Sequence, residues 1–174
     1  MAPAIEWAGL GALAVVAAVG DVRTGRVPNA LTLGAAAAGV LFSVFQSGGG
    51  GLAAGLAGFV VGLALFLPFF ALGGMGGGDV KLLAAFGAWL GPMGAVWTAL
   101  LASLVGGVFA IVVAASHGYL VEAIRNLGAI TAVWRTVGLT PVSGFRLSDA
   151  RRPRLAYAVP IGIGGLLALW LGSR

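Results

Sequence analysis

The sequence of 174 residues contains no cysteine and a single histidine, His117. Without cysteine there is no disulfide framework and no thiolate zinc site, and a lone imidazole makes a poor metal centre. No metal and no cofactor is therefore expected. Charge is scarce as well. Asp, Glu, Lys and Arg make up nine per cent of the residues, against roughly 25% in a soluble domain, and five residues are acidic. No polybasic run with interleaved aromatics occurs, so the net charge of +5 does not point to nucleic acid. Strict alternation of polar and apolar residues is also missing, which argues against a transmembrane barrel.

Hydrophobicity is what the chain has in quantity. Sixty per cent of its residues are hydrophobic and its mean hydropathy is +1.06, the composition of an all-α integral membrane protein. Crossing a hydrocarbon layer of about 30 Å takes around 20 residues of helix at about 1.5 Å each. The pattern predicts six transmembrane helices, near 5–21, 30–46, 52–72, 80–90, 93–116 and 155–171, in one polytopic domain over 1–174. Between the first two, Gly25 is permissive and Pro28 favours a first-turn position over a helix interior. Ser47 and the four glycines after it end the second. Residues 80–115 would make a single helix of about 54 Å, too long for one crossing, so Gly91-Pro92 divides them. From Tyr119 to Leu139, apolar residues recur at helical spacing among Glu122, Arg125, Asn126 and Arg135. That stretch predicts an amphipathic helix on the cytoplasmic interface rather than a seventh span. Pro141-Val142-Ser143-Gly144 then begins a polar turn region reaching Pro153.

Topology follows from the basic residues. No basic n-region precedes the first apolar run, so its helix is expected to be retained with the N-terminus outside. The layout puts Arg23, Arg26, Lys81, Arg125, Arg135, Arg146, Arg151, Arg152 and Arg154 on one side and Arg174 on the other, a strong positive-inside pattern. Trp7, Trp89, Trp97 and Trp170 fall near the outer helix ends, where amphipathic rings suit the interface.

Two aspartates stand out in this setting. Asp79 follows the glycine-rich run 73–78, and Asp21 sits in Gly20-Asp21-Val22-Arg23, nearly the tetrapeptide Gly78-Asp79-Val80-Lys81. Asp21 closes the first helix and Asp79 opens the fourth, so both lie at one depth near the cytoplasmic boundary. Two such carboxylates can share a proton and hold a water, one taking its proton while the other protonates a carbonyl or leaving amine. Peptide-bond hydrolysis needs that pair and neither nucleophile nor metal. Gly76, Gly77 and Gly78 would give an unwound peptide substrate backbone space and pairing partners.

Each residue also has a plainer reading. Asp79 alone fits an ordinary N-cap. A carboxylate at a helix C-terminus opposes the macrodipole by roughly 0.3 to 1 kcal/mol when exposed, so a bystander at position 21 would more naturally be basic. Arg23 and Lys81 sit about 200° round an ideal helix from their aspartates and serve topology first. His117 is expected at the interface, Glu122 and Asp149 in solvent, and Gly58 and Gly62 in close helix packing. A different class, a small transporter using the aspartates for ions or protons with glycine breaks as a gate, shares these features. A non-enzymatic assembly subunit is a third option.

Gly76-Gly77-Gly78-Asp79 resembles the Gly-x-Gly-Asp motif of intramembrane aspartyl proteases, and Asp21 through Pro28-Asn29 resembles the Asp-to-Pro-Asn segment of type IV prepilin peptidases. Arg154-Leu155-Ala156-Tyr157-Ala158 is a weaker echo, with Ala156 where relatives are expected to have proline. The resemblance implies catalysis by Asp21 and Asp79 and prepilin and pseudopilin substrates, whose basic leader is cut on the cytoplasmic side after a glycine. It implies a home in the bacterial inner membrane, with the lipid bilayer as surroundings. Larger members resemble bifunctional enzymes with a cysteine-rich zinc insertion. With no cysteine, this chain is similar to the short CpaA- or TadV-like form serving Flp/Tad pili, which implies peptidase activity without predicting methylation.

Overall fold

Helix accounts for nearly all of the backbone in the computed structural model, which describes residues 2–138 and 155–173. In chain order the helices are α1 (Ala2–Thr24), α2 (Asn29–Ala71), α3 (Gly77–Ser116), α4 (Leu120–Val137) and α5 (Ala158–Gly172). The first three are long and apolar enough to cross a membrane, and α5 is a shorter apolar helix. No strand occurs among the described residues. The polar turn region expected over 141–153, with Arg146, Asp149, Arg151 and Arg152, lies outside the described residues, as do Arg154 and Arg174.

The six segments expected to cross the membrane fall on four helical elements. The segments expected at 30–46 and 52–72 form one element, α2, and those expected at 80–90 and 93–116 form another, α3. Each pair is joined by a bend so short that no loop intervenes. In α2 the bend is Ser47 (φ −139°, ψ 16°) and Gly48 (φ 56°, ψ −131°). In α3 it is Gly91 alone (φ 72°, ψ −177°), immediately before Pro92. Both glycines occupy positive-φ conformations that a Cβ would disfavour.

The chain doubles back at both bends. Beyond Gly48, Gly51 packs on the backbone of Ser43 and Gly55 reaches Val40. Beyond Gly91, the Ala95 side chain lies against Gly87. In α2 one residue number rises as the other falls, so its two halves are antiparallel neighbours; in α3 residues eight apart touch across Gly91.

Glycines then bring the hairpins together. Gly55, Gly58 and Gly62 face Ala88, Gly87 and Leu83-Ala84 respectively, so the second half of α2 lies backbone to backbone on the first half of α3. Spacing of three or four residues puts these glycines on one helix face, and small residues there permit the close approach. Gly58 and Gly62 thus have the packing role expected. The first half of α3 becomes the centre of the bundle, with Val80, Leu82, Leu83, Ala84, Ala85, Phe86 and Ala88 buried. On the other side Gly165 of α5 receives the Phe86 ring, Gly164 rests on Thr98 and Ala102, and Gly162 meets Ala14 of α1.

At the far end of that central segment, Trp89 is wedged against Gly9 and Gly39. It stacks on Phe42 at 5.2 Å and donates its indole N–H to the Ala35 carbonyl at 2.8 Å. Trp89 is therefore an internal strut, whereas Trp7, Trp97 and Trp170 are exposed. Helix α4 coincides with the predicted amphipathic stretch and stands off the core, with Val121, Ile124 and Leu127 exposed.

Candidate active site

Asp21 lies in the last turn of α1, where the ending of the helix is locally encoded. Gly25 takes φ 64° and donates its N–H to the Asp21 carbonyl at 2.8 Å, a left-handed cap that glycine adopts cheaply. The Thr24 hydroxyl donates to the Gly20 carbonyl at 2.8 Å and to the Arg26 carbonyl at 3.2 Å. Pro28, extended at φ −63° and ψ 135°, immediately precedes the first turn of α2. This tight 25–28 connection holds Asp21 beside its own loop.

Asp79 is the third residue of α3 rather than the residue ahead of the helix. The helix starts at Gly77, earlier than the sequence suggests, because the Asp79 side chain reaches back. Its Oδ2 accepts the Gly76 N–H at 3.2 Å and satisfies an amide that would otherwise lack a partner. Asp21 makes the corresponding contact with a different helix, its Oδ2 accepting the Ala158 N–H at the start of α5 at 3.2 Å. The end of α1 disfavours an anion at position 21, but the start of α5 supplies both a donor and the favourable end of a dipole. Each carboxylate thus spends one oxygen on a helix start, and both border the same space.

That space is real. A cavity of about 430 Å³ is lined by Asp21, Gly25 to Asn29 and Gly76 to Asp79. A second, of about 520 Å³, is lined by Asp21, Val22, Thr24, Gly25, Gly76, Asp79, Phe109, Leu155 and Ala156. Asp79 is almost fully buried. The structure therefore brings together the residues singled out in the sequence: Asp21, Asp79, Gly76, Gly77 and Gly78. The last two also pack, since a Cβ on Gly77 would stand 3.3 Å from Phe70 and one on Gly78 would stand 3.2 Å from Val27. Lys81 does more than mark topology, for its Nζ donates to Asn29 Oδ1 at 2.9 Å and ties the start of α3 to the start of α2. Among the described residues no cluster of three potential metal ligands forms.

Tyr157 received no role from the sequence, although it is one of only two tyrosines. It sits just ahead of α5, half-buried, with its hydroxyl against Gly106 and its ring edge-on to Phe66 at 6.5 Å. Burial first, and then the Asp79 carboxylate, push its phenol above the ordinary tyrosine value. It remains a neutral hydroxyl next to the pair.

Residues 8–111 match the type IV leader peptidase family, a stretch that contains both aspartates, the connection between α1 and α2, and Phe109. The chain belongs to that family. As a leader peptidase family member it is similar to a prepilin leader peptidase/N-methyltransferase from Pectobacterium carotovorum subsp. carotovorum, 33% identical over 161 residues, covering 89% of this chain and 47% of the relative. It is similar also to the proteins of that name from Aeromonas salmonicida strain A449, 39% identical over 97 residues (52% of this chain, 33% of the relative), and Aeromonas hydrophila, 41% identical over 92 residues (49% and 32%). The chain thus matches about half the length, or less, of these curated relatives. No solved structure matches it.

Proposed function

We propose that this chain is a membrane-embedded aspartyl endopeptidase that removes the basic leader of type IV prepilins and pseudopilins of the Flp/Tad kind, with Asp21 and Asp79 as its catalytic residues. One observation carries the reading: two carboxylates from distant parts of the sequence line the same cavities, each anchored through one oxygen to a helix start. One aspartate, as the anion, takes a proton from a water held between them while that water attacks the scissile carbonyl carbon. The other, protonated, gives its proton to the carbonyl oxygen. The tetrahedral gem-diol then collapses: one hydroxyl returns a proton to the aspartate that gave one, the C–N bond breaks, and the proton taken from the water leaves with the amine, restoring the pair. No metal or cofactor takes part. The glycine wall 76–78 accommodates the unwound peptide.

For the membrane arrangement we read each hairpin as one passage across the bilayer and back, which with α1 and α5 makes six crossings in the bacterial inner membrane. Glu6 and Gln46 support this, since their side chains meet at 3.0 Å and place the N-terminal end of α1 beside the first bend, away from the aspartates. The N-terminus then lies outside, the aspartates near the cytoplasmic face, and α4 along that face. The reading assigns no methyl transfer, because a chain without cysteine has no cysteine-rich zinc insertion. Family membership gives the alternative of an ion- or proton-coupled transporter no support.

The test is direct. Purified protein in nanodiscs, mixed with a prepilin, should yield a shortened product with an unmethylated N-terminus by mass spectrometry. Asp21→Asn and Asp79→Asn, each shown to be folded, should lower the rate by about 10²-fold or more. Normal processing by either variant would overturn the assignment.

A further inference from the structure

The two cavities beside the aspartates differ in chemistry. The smaller, of about 430 Å³, is lined beyond the pair by eight residues, Gly25, Arg26, Val27, Pro28 and Asn29 of the connection between α1 and α2 and Gly76 to Gly78, so that half of them are glycine. Val27 in that wall is buried and packs on Gly78, and the Asn29 side chain is held by Lys81. The glycines in this wall leave main chain open to an extended peptide bearing small residues. The larger, of about 520 Å³, is bounded beyond the pair by Thr24, Gly25 and Gly76 and by the apolar side chains of Val22, Phe109, Leu155 and Ala156. Val22 is 66% exposed, Phe109 38% and Leu155 37%. Its apolar wall therefore continues onto the outer surface of the bundle, where the end of α1 and the second half of α3 both contribute. Asp21, Gly25, Gly76 and Asp79 line both cavities, so a bond cut by the pair lies where the two join.

We infer that the cavities are the two arms of one substrate cleft: the larger takes the apolar residue on the C-terminal side of the scissile bond, delivered sideways from the bilayer, and the smaller takes extended backbone and small side chains on the N-terminal side. Val22, Phe109 and Leu155 are then the specificity-determining residues of the apolar arm. An apolar segment moving from lipid into this arm is met by the exposed side chains of Val22, Phe109 and Leu155 and has no hydration to lose. The polar stretch preceding the bond stays with the polar loops. The direction of the chain through the cleft rests on the leader-peptidase reading.

Cross-linking tests this without requiring catalysis. The chain has no cysteine, so introduced thiols are unique. Phe109→Cys and Asn29→Cys are placed separately in an Asp79→Asn background and incubated in nanodiscs with a prepilin carrying one cysteine immediately after or immediately before the scissile bond. Copper phenanthroline is the oxidant. A disulfide needs Cα atoms within about 7 Å, so each thiol should prefer its own side by about tenfold: Phe109→Cys the residue after the bond, Asn29→Cys the residue before it. Equal cross-linking, reversed preference or no cross-link overturns the cleft assignment. The expected pattern from a wild-type chain that cuts nothing would uphold the cleft and remove the peptidase reading; cleavage with a reversed pattern would do the opposite. In a kinetic check, Phe109→Trp should lower kcat/KM about tenfold or more for a substrate with a large apolar residue after the bond and leave one with alanine there little changed. Equal loss for both substrates would overturn the role of Phe109.

Discussion

Asp21 ends one helix and begins another, and the second relation makes a carboxylate at that position tolerable. The Ala158 amide that holds it belongs to the main chain, which carries no residue signature, so this partner is invisible in the sequence while the aspartate itself is conspicuous. Tyr157 provides a test at the same scale. Its raised phenol means that the folded protein keeps this proton where an exposed tyrosine loses it. The associated stability is complete below about pH 10 and is lost as pH rises from there through the value of Tyr157 itself. Titration by tyrosinate absorbance should show a transition that Tyr157→Phe removes and that lies above a free tyrosine amide in the same detergent. Asp79→Asn should move that transition down, because a carboxylate contributes to the shift; no movement would place Asp79 too far away to act on the phenol. Asp21, Asp79 and the glycines before Asp79 are legible because charge and flexible backbone are rare in apolar spans. Tyr157 is not, since its place over Gly106 and beside Phe66 depends on three distant segments.

Among the helices, the breaks are legible and the partnerships are not. Gly25, Ser47-Gly48 and Gly91-Pro92 announce themselves by composition, and the structure bends or stops at each. What hydropathy reads as separate helices are hairpins with one- or two-residue bends, a distinction that depends on backbone angles rather than on polarity. Nor does any local pattern show that Gly58 faces Gly87, or that Trp89 is internal while the other tryptophans considered are surface residues. The glycine contacts are open to measurement. A Cβ at Gly58 would collide with the backbone of Gly87 and Gly91, which cannot swing aside as a side chain can. Gly58→Ala should therefore cost about 1–3 kcal/mol, read as a lowered Tm. Gly34→Ala, where a Cβ meets nothing within 4 Å, should not lower it. A Gly58→Ala protein as stable as wild type would mean that the hairpins are not in this contact.

For the whole molecule, orientation is the first quantity to establish. In the proposed topology Gln46→Cys should react with an impermeant maleimide on intact spheroplasts, and Arg125→Cys only after permeabilisation; the reverse would invert the protein in the membrane. A second consequence comes from the contact of Phe86 with Gly165. Phe86 lies two turns after Asp79 in α3, and Gly165 lies two turns after Ala158 in α5, about 10 Å along each helix. Asp79 rides on the first turn of α3, and Asp21 is tethered to the first amide of α5. The interval between the two carboxylates is therefore gauged inside the bundle, by how deeply one ring seats over one glycine. Gly165→Ala should slow cleavage more than it weakens substrate binding, seen as a fall in kcat with KM nearly constant. One methyl group, remote from any reacting atom, would detune the chemistry by changing the gap a water has to bridge.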